Sequence, residues 1–310
     1  MFLADMFVSA HIQAKGPKSA IRVMVSHNLP VKWPSYPKHH FVEYDVHFLS
    51  GFIAREMVEL TIEKHKLDNS KIRLLNIGHC KSDTLLNSDY NREQILQEIG
   101  LDPNKETVLY SPSWDKGLSL SMFGESIVEE IVKNNKINLI VKLHPVSYTP
   151  QNHPQYEFYT GGIDWAKKLS KYEKYSNFKH IISIDNINPL LEASDVMVTD
   201  LSSVALEFIL IDKPVIYFDC PSFFNDTLKR IYSEFGSTAE CVKNHPSTNA
   251  GRNVGVIIKN ASELTHAIQR SLDVPNEYSK ERKNLSKQLL YNQGNASVAG
   301  ANSILELLQL

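Results

Sequence analysis

The sequence predicts an α/β protein in which two Rossmann-like lobes face a cleft, each with a parallel sheet covered by helices on both faces. Its 310 residues are 42% hydrophobic and 22% charged, an ordinary globular composition with material for about two domains. From about residue 105 onward, short Val/Ile-rich runs alternate with amphipathic ones, as strands and crossover helices do. The strand-like runs lack a polar face, which is typical of a sheet buried on both sides.

The second half of the chain carries the clearest alternation. The predicted order is strand, helix, strand, an insertion, then strand, helix, strand, helix and strand, over Thr107–Ser113, Ser121–Asn134, Ile137–His144, Lys179–Ile184, Pro189–Ala193, Val196–Thr199, Ser203–Ile211 and Pro214–Asp219. The segment from Ser262 onward is mostly helical by its periodicity, with a break at Gly294. This order predicts a parallel sheet followed by a helical tail.

The first hundred residues show the same pattern on a smaller scale. The predicted strands are Met6–Ala10, Arg22–Ser26 and Ile72–Ile77, and Gly51–His65 has helical spacing. Gly100-Leu-Asp-Pro103 is a helix stop followed by a turn. The predicted division is therefore a short N-terminal lobe over 1–100 and a C-terminal lobe with a helical tail over 101–310.

Charge and cysteine content exclude several classes of protein. With 33 Lys+Arg against 35 Asp+Glu the net charge is −2, so the chain lacks the positive field that nucleic-acid binding needs. Cys80, Cys220 and Cys241 are far apart and form no C-x-x-C pair, which predicts free thiols in a reducing compartment. No apolar run reaches the roughly 20 residues of a membrane span, and no basic leader is visible. We expect a cytoplasmic protein.

The strongest candidate site lies where the predicted strand ending in Thr199-Asp200 meets the helix that begins at Ser202-Ser203. Free backbone N–H groups and the helix dipole at such a junction attract phosphate, and the two hydroxyls add donors. The alternative is that Asp200 or Ser202 only caps the helix, as such residues commonly do.

Two further polar segments follow strands of the same predicted sheet. Lys142 and His144 come after one strand, where they can offset and bond a diphosphate. Ser111 and Ser113 lie in Tyr110-Ser-Pro-Ser-Trp114 after another. Each segment alone is weak evidence. Because the carboxyl ends of parallel strands share one edge, their coincidence predicts a nucleotide-diphosphate site.

In the first lobe, His27 follows a predicted strand and precedes Pro30. An imidazole placed across a cleft from a phosphate donor is a candidate general base for an acceptor hydroxyl, since imidazoles titrate near neutral pH. The alternative is an ordinary loop histidine, one of 12 in the chain.

These motifs, taken in order, resemble the CDP-glycerol glycerophosphotransferase family of teichoic acid synthesis. The resemblance covers the chain from about His27 to Asp219, and Gly294-Asn-Ala-Ser297 is similar to the family's closing motif. The matching segments are His27-x-x-Pro30, Gly78-x-x-Lys81-x-Asp83, Tyr110-x-Pro-Ser-Trp114, Lys142-x-His144-Pro145 and Ser194-Asp-x-x-x-Thr-Asp-x-Ser-Ser with Glu207 four positions on.

The resemblance implies a GT-B fold and transfer of glycerol phosphate from CDP-glycerol to a polyol phosphate chain or a lipid-linked sugar. It also implies peripheral association of the protein with the inner face of the cell membrane. The implied catalytic residues are His27, the base, together with His144 and Asp200. The expected donor-binding residues are Ser111, Ser113, Lys142, His144, Thr199, Asp200, Ser202, Ser203 and Glu207.

No acidic cluster has metal-ligand spacing, so we expect no metal and no cofactor, with the helix dipole and hydroxyls balancing the diphosphate charge. Two alternatives stay open because diphosphate recognition does not identify the group transferred. One is a nucleotide-sugar glycosyltransferase or an epimerase-like enzyme of the same fold. The other is a catalytically silent donor-binding subunit.

Overall fold

The computed structural model describes residues 4–32, 35–184, 186–228, 230, 249 and 251–309. These residues divide into two compact units, each with its own parallel sheet. The first unit contains the described residues of 1–88, 244–250 and 284–310, and the second contains those of 89–243 and 251–283. Cys241, one of the predicted free thiols, lies outside the described residues; Cys80 and Cys220 are free.

The first unit has a four-stranded parallel sheet whose spatial order, β1-β2-β3-β4, is the order of the chain. Consecutive order with parallel pairing requires a crossover after every strand, all in one direction. The strands are β1 Met6–Ser9, β2 Ile21–Val25, β3 Val46–Leu49 and β4 Arg73–Asn76. The helices are α1 Lys38–Phe41, α2 Phe52–His65, α3 Cys80–Asn87 and, from the far end of the chain, α13 Ala296–Leu308.

Both faces of this sheet are covered. On one face Val46 and Phe48 pack with Leu307 of α13, and on the other Leu49 packs with Val58 of α2. Successive β3 side chains point to opposite faces, as the period of two requires. The sheet is therefore buried on both sides, as its apolar strands predict.

Two contacts hold α13 in the first unit. The Asp83 carboxylate accepts hydrogen bonds from the backbone N–H groups of Ala296 at 3.1 Å and Ser297 at 2.6 Å, at the start of α13. Gly78 has φ +104°, and a β-carbon there would lie 2.4 Å from the carbonyl oxygen of Tyr291. Only glycine fits that approach. Two segments with family-like motifs, 78–83 and 294–297, thus meet at a helix N-terminus, where a carboxylate is favoured.

The second unit has a six-stranded parallel sheet in the order β10-β9-β8-β5-β6-β7. The strands are β5 Thr107–Tyr110, β6 Asn138–Val141, β7 Phe178–His180, β8 Val196–Thr199, β9 Val215–Phe218 and β10 Val256–Ile258. Every residue of β5, β6, β8 and β9 is buried. The centre of this sheet is therefore the core of the unit.

Helices connect these strands and cover the sheet. They are α4 Arg92–Glu98, α5 Ser119–Phe123, α6 Ser126–Val132, α7 Tyr156–Thr160, α8 Trp165–Ser170, α9 Asn188–Ala193, α10 Ser203–Leu210, α11 Leu264–Asp273 and α12 Ser279–Leu289. The boundary between the two units falls within α12. No helix in the described part of the chain combines the length and apolar character that crossing a bilayer requires.

The structure differs from the sequence prediction in three ways. The tail predicted to belong to the 101–310 lobe splits, and its part from 284 onward belongs to the first unit, whose chain boundary lies at 88 rather than 100. The single helix predicted over Ser121–Asn134 is two helices, because the chain turns at Gly124 with φ +55°. Strands β3 and β10 were not predicted, because His47 interrupts the four-residue run of β3 and β10 has only three residues.

Candidate functional site at the strand ends

The second sheet has a topological switch point between β5 and β8. From β5 the chain proceeds to β6 and β7 on one side, and then crosses to β8, β9 and β10 on the other. Tyr110 at the end of β5 pairs with Val141 of β6 and Val198 of β8. The three predicted segments, beginning at Ser111, Lys142 and Asp200, therefore leave adjacent strands at one edge. Ligands of such sheets bind in the crevice at that point.

Asp200 joins the two sides of the switch point. It is 0% exposed, and its carboxylate accepts hydrogen bonds from the Ser113 N–H at 2.9 Å, the Ser119 N–H at 2.9 Å and the Ser119 hydroxyl at 2.6 Å. Next to it, the Thr199 hydroxyl donates to the Ser111 carbonyl at 2.7 Å. Residues 199 and 200 thus fix the loop that follows β5.

These bonds change the role expected for Asp200. A carboxylate that is buried and already bonded to protein donors has no exposed oxygen with which to take a proton from a substrate. In this structure the Asp200 carboxylate holds the loop after β5, and its predicted catalytic role stays a prediction. Thr199 holds the same loop, and both side chains face protein rather than ligand.

The serines after β5 are likewise part of the loop's own structure. Ser111 and Ser113 are both buried, and the Ser113 hydroxyl donates to the Asp115 carboxylate at 2.8 Å. The Ser113 hydroxyl and the Ser111 carbonyl are therefore used in holding the loop itself.

Lys142 brings a positive charge into this edge. The side chain is 6% exposed, and its ammonium donates to the Leu143 carbonyl at 2.8 Å. Within the described ranges no carboxylate lies within salt-bridge distance of Lys142, and burial lowers its pKa. A buried ammonium with a carbonyl but no counter-charge is a strong site for an anion.

His144 lies two residues further along, at the surface, and caps the 3-10 turn Pro145–Tyr148. Its Nδ1 accepts a hydrogen bond from the Val146 N–H at 3.3 Å. The neutral ring therefore carries its proton on Nε2. That tautomer is a donor, which is what an oxygen of a phosphate requires.

At the start of α10, Ser202 and Ser203 can serve both as a helix cap and as donors to a phosphate. Ser202 is the N-cap, its hydroxyl accepting from the Val204 N–H at 3.4 Å, and Ser203 is the first helical residue. Both are partly exposed, so their hydroxyl hydrogens can also reach a ligand at the helix start. Glu207, one turn further, is buried and has a partner within the protein.

A cleft of about 780 Å³ opens beside the 113–119 loop. Trp114, Phe158 and Tyr159 line it, with ring centroids 5.1 to 5.5 Å apart. The cleft also has charged side chains of both signs: Lys116, Arg230, Asp115, Glu157 and Asp226. Sequence reasoning found Trp114 but missed the other two aromatic residues, which lie in the insertion after β6. The adjacent aromatic pair in an otherwise polar stretch is the signal that could have indicated them.

His27 lies in the first unit, after β2, and is exposed. Its Nδ1 lies 2.6 Å from the Ala10 carbonyl oxygen. Because a carbonyl only accepts, Nδ1 carries a proton, and the neutral form of the ring has its lone pair on Nε2. The ring of His11 stacks at 6.1 Å. An oriented imidazole with an unprotonated nitrogen is the arrangement that a general base needs.

No group of three or more His, Cys, Asp or Glu side chains in the described part of the chain converges closely enough to ligate a metal ion.

Solved structures share this fold. The Wall Teichoic Acid Polymerase TagF matches with a TM-score of 0.64 and 15% identity, covering 96% of this chain and 72% of that one. TagF soaked with CDPG gives 0.64 and 14%, covering 98% and 72%. UDP-GlcNAc 2-epimerase from Neisseria meningitidis bound to UDP-GlcNAc gives 0.52 and 15%, covering 92% and 70%. These likenesses confirm the predicted fold class, α/β of the GT-B type.

Sequence comparison identifies the family. The model of the family described as CDP-Glycerol:Poly(glycerophosphate) glycerophosphotransferase matches residues 53–306, most of the chain. The protein belongs to this family, as its motifs predict.

Curated relatives are similar over part of their length. The Teichoic acid glycerol-phosphate primase of Bacillus spizizenii is 26% identical over 220 residues, covering 70% of this chain and 50% of the primase. The primase of Bacillus subtilis is 25% identical over 240 residues, covering 76% and 52%. The Teichoic acid poly(glycerol phosphate) polymerase of Staphylococcus epidermidis is 28% identical over 152 residues, covering 47% and 19%. The chain thus spans about half the length of the primases it matches.

Proposed function

We propose that this chain transfers glycerol phosphate from CDP-glycerol to a hydroxyl group of a polyol phosphate chain or a lipid-linked sugar, in the synthesis of a teichoic-acid-like surface polymer. The observation that carries the proposal is the edge at the β5/β8 switch point. There a buried, carboxylate-free Lys142 follows β6 and the start of α10 follows β8, the two strands that flank β5. That is a site for a diphosphate in a protein of a glycerophosphotransferase family.

The second unit holds the donor in this proposal. Lys142 balances diphosphate charge, and His144 donates through Nε2 to a phosphate oxygen. The Ser202 and Ser203 hydroxyls with the α10 N-terminus stabilise the charge that grows on the leaving phosphate. Asp200 and Thr199 act indirectly, by holding the loop after β5 against the β8 end. The Trp114 cleft beside this loop offers aromatic faces to a nucleobase.

The first unit supplies the base. His27 Nε2 takes the proton of the acceptor hydroxyl as its oxygen attacks the β-phosphorus of CDP-glycerol. The new bond joins that oxygen to the β-phosphorus, and the bond that breaks is the one to the bridging oxygen, which leaves with CMP. The Ala10 carbonyl keeps the ring in the required tautomer and becomes a better partner as the ring gains charge.

Product analysis with radiolabelled CDP-glycerol tests the proposal. The purified chain is incubated with labelled donor and a glycerol-phosphate-ended acceptor, and label is expected in the acceptor with one CMP released for each transfer. UDP-GlcNAc serves as the comparison donor. Turnover of UDP-GlcNAc alone would favour the sugar-nucleotide alternative, and CDP-glycerol binding without transfer would favour the silent subunit. If the acceptor is lipid-linked, we infer that the reaction takes place at the inner face of the membrane.

A further inference from the structure

A small pocket of about 60 Å³ lies in the first unit, beside the ends of β2 and β3. Ser26 and Asn28, the two neighbours of His27, line it. Its remaining walls are mainly apolar side chains of β3 and α2, including Phe48 and Met57.

Two polar atoms at the pocket have no partner among the described residues: Nε2 of His47 and Oγ of Ser50. Their residues are 2% and 1% exposed, respectively. Most buried polar side-chain atoms in proteins are hydrogen-bonded, and leaving one unpaired is costly. Two such atoms on one pocket indicate that a ligand completes the site.

The state of His47 defines what that ligand must offer. The ring stacks on Phe41 at 4.1 Å. Burial lowers the pKa of His47 to about 4, which keeps the ring neutral at physiological pH. In a neutral ring Nε2 either donates or accepts, according to the tautomer, and the Ser50 hydroxyl can do both. The ligand must therefore offer a group that can both donate and accept a hydrogen bond.

Charge excludes an ionic ligand. None of the residues that line the pocket in the described part of the chain is Lys, Arg, Asp or Glu. A phosphate group there would be desolvated without a counter-ion, whereas a neutral hydroxyl would satisfy both orphaned atoms. One buried water needs only about 10–15 Å³ of this volume. The pocket is thus large enough for hydroxyl groups together with their carbon.

We propose that this pocket binds the hydroxyl-bearing end of a neutral polyol, a glycerol-type group of the acceptor, through His47 and Ser50. The inference rests on the proposed function, because the pocket's position beside His27 matters only if His27 activates an acceptor hydroxyl. The pocket selects a polyol terminus, and the phosphates of the acceptor stay outside it.

The kinetic test uses Ser50→Ala in the full chain. The acceptor KM should rise about 5- to 20-fold, the loss of one hydrogen bond, while the KM for CDP-glycerol stays unchanged. The unfolding midpoint should not fall, because the hydroxyl has no partner to lose in the free protein. The matched control is Ser271→Ala on α11, a buried serine of the second unit whose hydroxyl is also unpartnered. It should leave both KM values unchanged.

A second measurement does not depend on activity. With ¹⁵N-labelled histidine, glycerol should shift the Nε2 resonance of His47, assigned by its loss in His47→Phe, whereas inorganic phosphate should not. The proposal is overturned if glycerol does not shift the resonance, or if the parent is active and Ser50→Ala leaves the acceptor KM unchanged. The pocket would then hold water only. If the parent does not transfer glycerol phosphate but the resonance shifts with glycerol, the proposed function fails and the polyol site stands.

Discussion

Two groups of buried polar side chains near strand ends, one in each unit, differ in their hydrogen bonding. In the second unit the Asp200 carboxylate accepts from the Ser113 N–H, the Thr199 hydroxyl donates to the Ser111 carbonyl, and the Ser113 hydroxyl donates to the Asp115 carboxylate. In the first unit His47 and Ser50 are equally buried but have no described partner. Where the protein itself satisfies the buried polar atoms, the loop has a fixed backbone that can bind a charged group. Where buried polar atoms lack partners, a bound ligand can supply the missing hydrogen bonds.

Of the substitutions that test this difference between the units, the replacement of His27 should have the largest effect, and that effect is on turnover. His27→Ala should lower the transfer rate by about 10²–10⁴-fold, because it removes the proposed base, and should leave the calorimetric affinity for CDP-glycerol unchanged, since the proposed donor site lies in the second unit. His153→Ala, which removes an exposed histidine of the second unit, is the control. Full turnover in His27→Ala would assign the base to His11 or to His39/His40.

Removing the Asp200 carboxylate tests its role in holding the 113–119 loop. Asp200→Ala should cost about 3 kcal/mol of unfolding free energy in a denaturant titration, because buried donors of the 113–119 loop lose their acceptor. CDP-glycerol affinity should also fall as the loop loosens.

The control for that variant is Asp195→Ala. Asp195 bonds the Thr107 N–H and Arg92 at the opposite end of β5 and β8, so its loss should cost stability without a change in CDP-glycerol affinity. A parent-like stability of Asp200→Ala would contradict the positioning role.

The start of α10 gives a smaller effect. Ser202→Ala combined with Ser203→Ala should weaken CDP-glycerol binding by about 1–3 kcal/mol, for two donors lost to a charged group. The measurement is calorimetry together with a thermal melt. Unchanged affinity with a lower melting temperature would show that the pair serves only as the cap seen at Val204.

The smallest expected effect is a loss of folding stability at acid pH. Burial lowers the pKa values of His47 and His79 in the first unit and of His180 in the second to about 4, from 6.5. Between those pH values the unfolded chain binds more protons, so stability falls as pH drops below about 6.5.

One pH unit below the unfolded-state value, each such histidine costs about tenfold in the folding equilibrium. Hydrogen exchange at pH 7 and pH 5.5 should therefore show a loss of protection about tenfold greater in β1–β4 than in β5–β10. Equal losses in the two sheets would mean that the extra buried histidine of the first unit is not kept neutral by the fold.

Sequence was sufficient for the alternation of strands and helices, because runs such as Val196–Thr199 are apolar, short and bounded by polar residues, and β8 has those bounds. It was insufficient for β3, where His47 interrupts a four-residue run. Periodicity also shows that α13 has an apolar face but not which sheet covers it. That information resides in the contact of Leu307 with Val23 and Val46, across more than 250 residues.

The candidate site shows the same limit. Sequence placed the Ser111, Lys142 and Asp200 segments on one edge, since consecutive parallel strands end on the same side. It did not show that Asp200 points into the protein, because the direction of a side chain after a strand depends on the neighbouring loop. The pocket at His47 was missed for a related reason. A sequence does not show which buried polar atoms lack a hydrogen-bond partner in the folded protein.

The place of α13 in the first unit bears on how the protein is made. On the ribosome β1–β4 emerge first, but the helix that covers one face of their sheet, 296–308, emerges after every strand of the second sheet has been synthesised. At roughly 5–20 residues per second, the earlier strands wait about 10–50 s for it. Strands β1–β4 are thus synthesised before the second sheet, but one face of their sheet is covered after it, and during that interval this apolar face is accessible to chaperones.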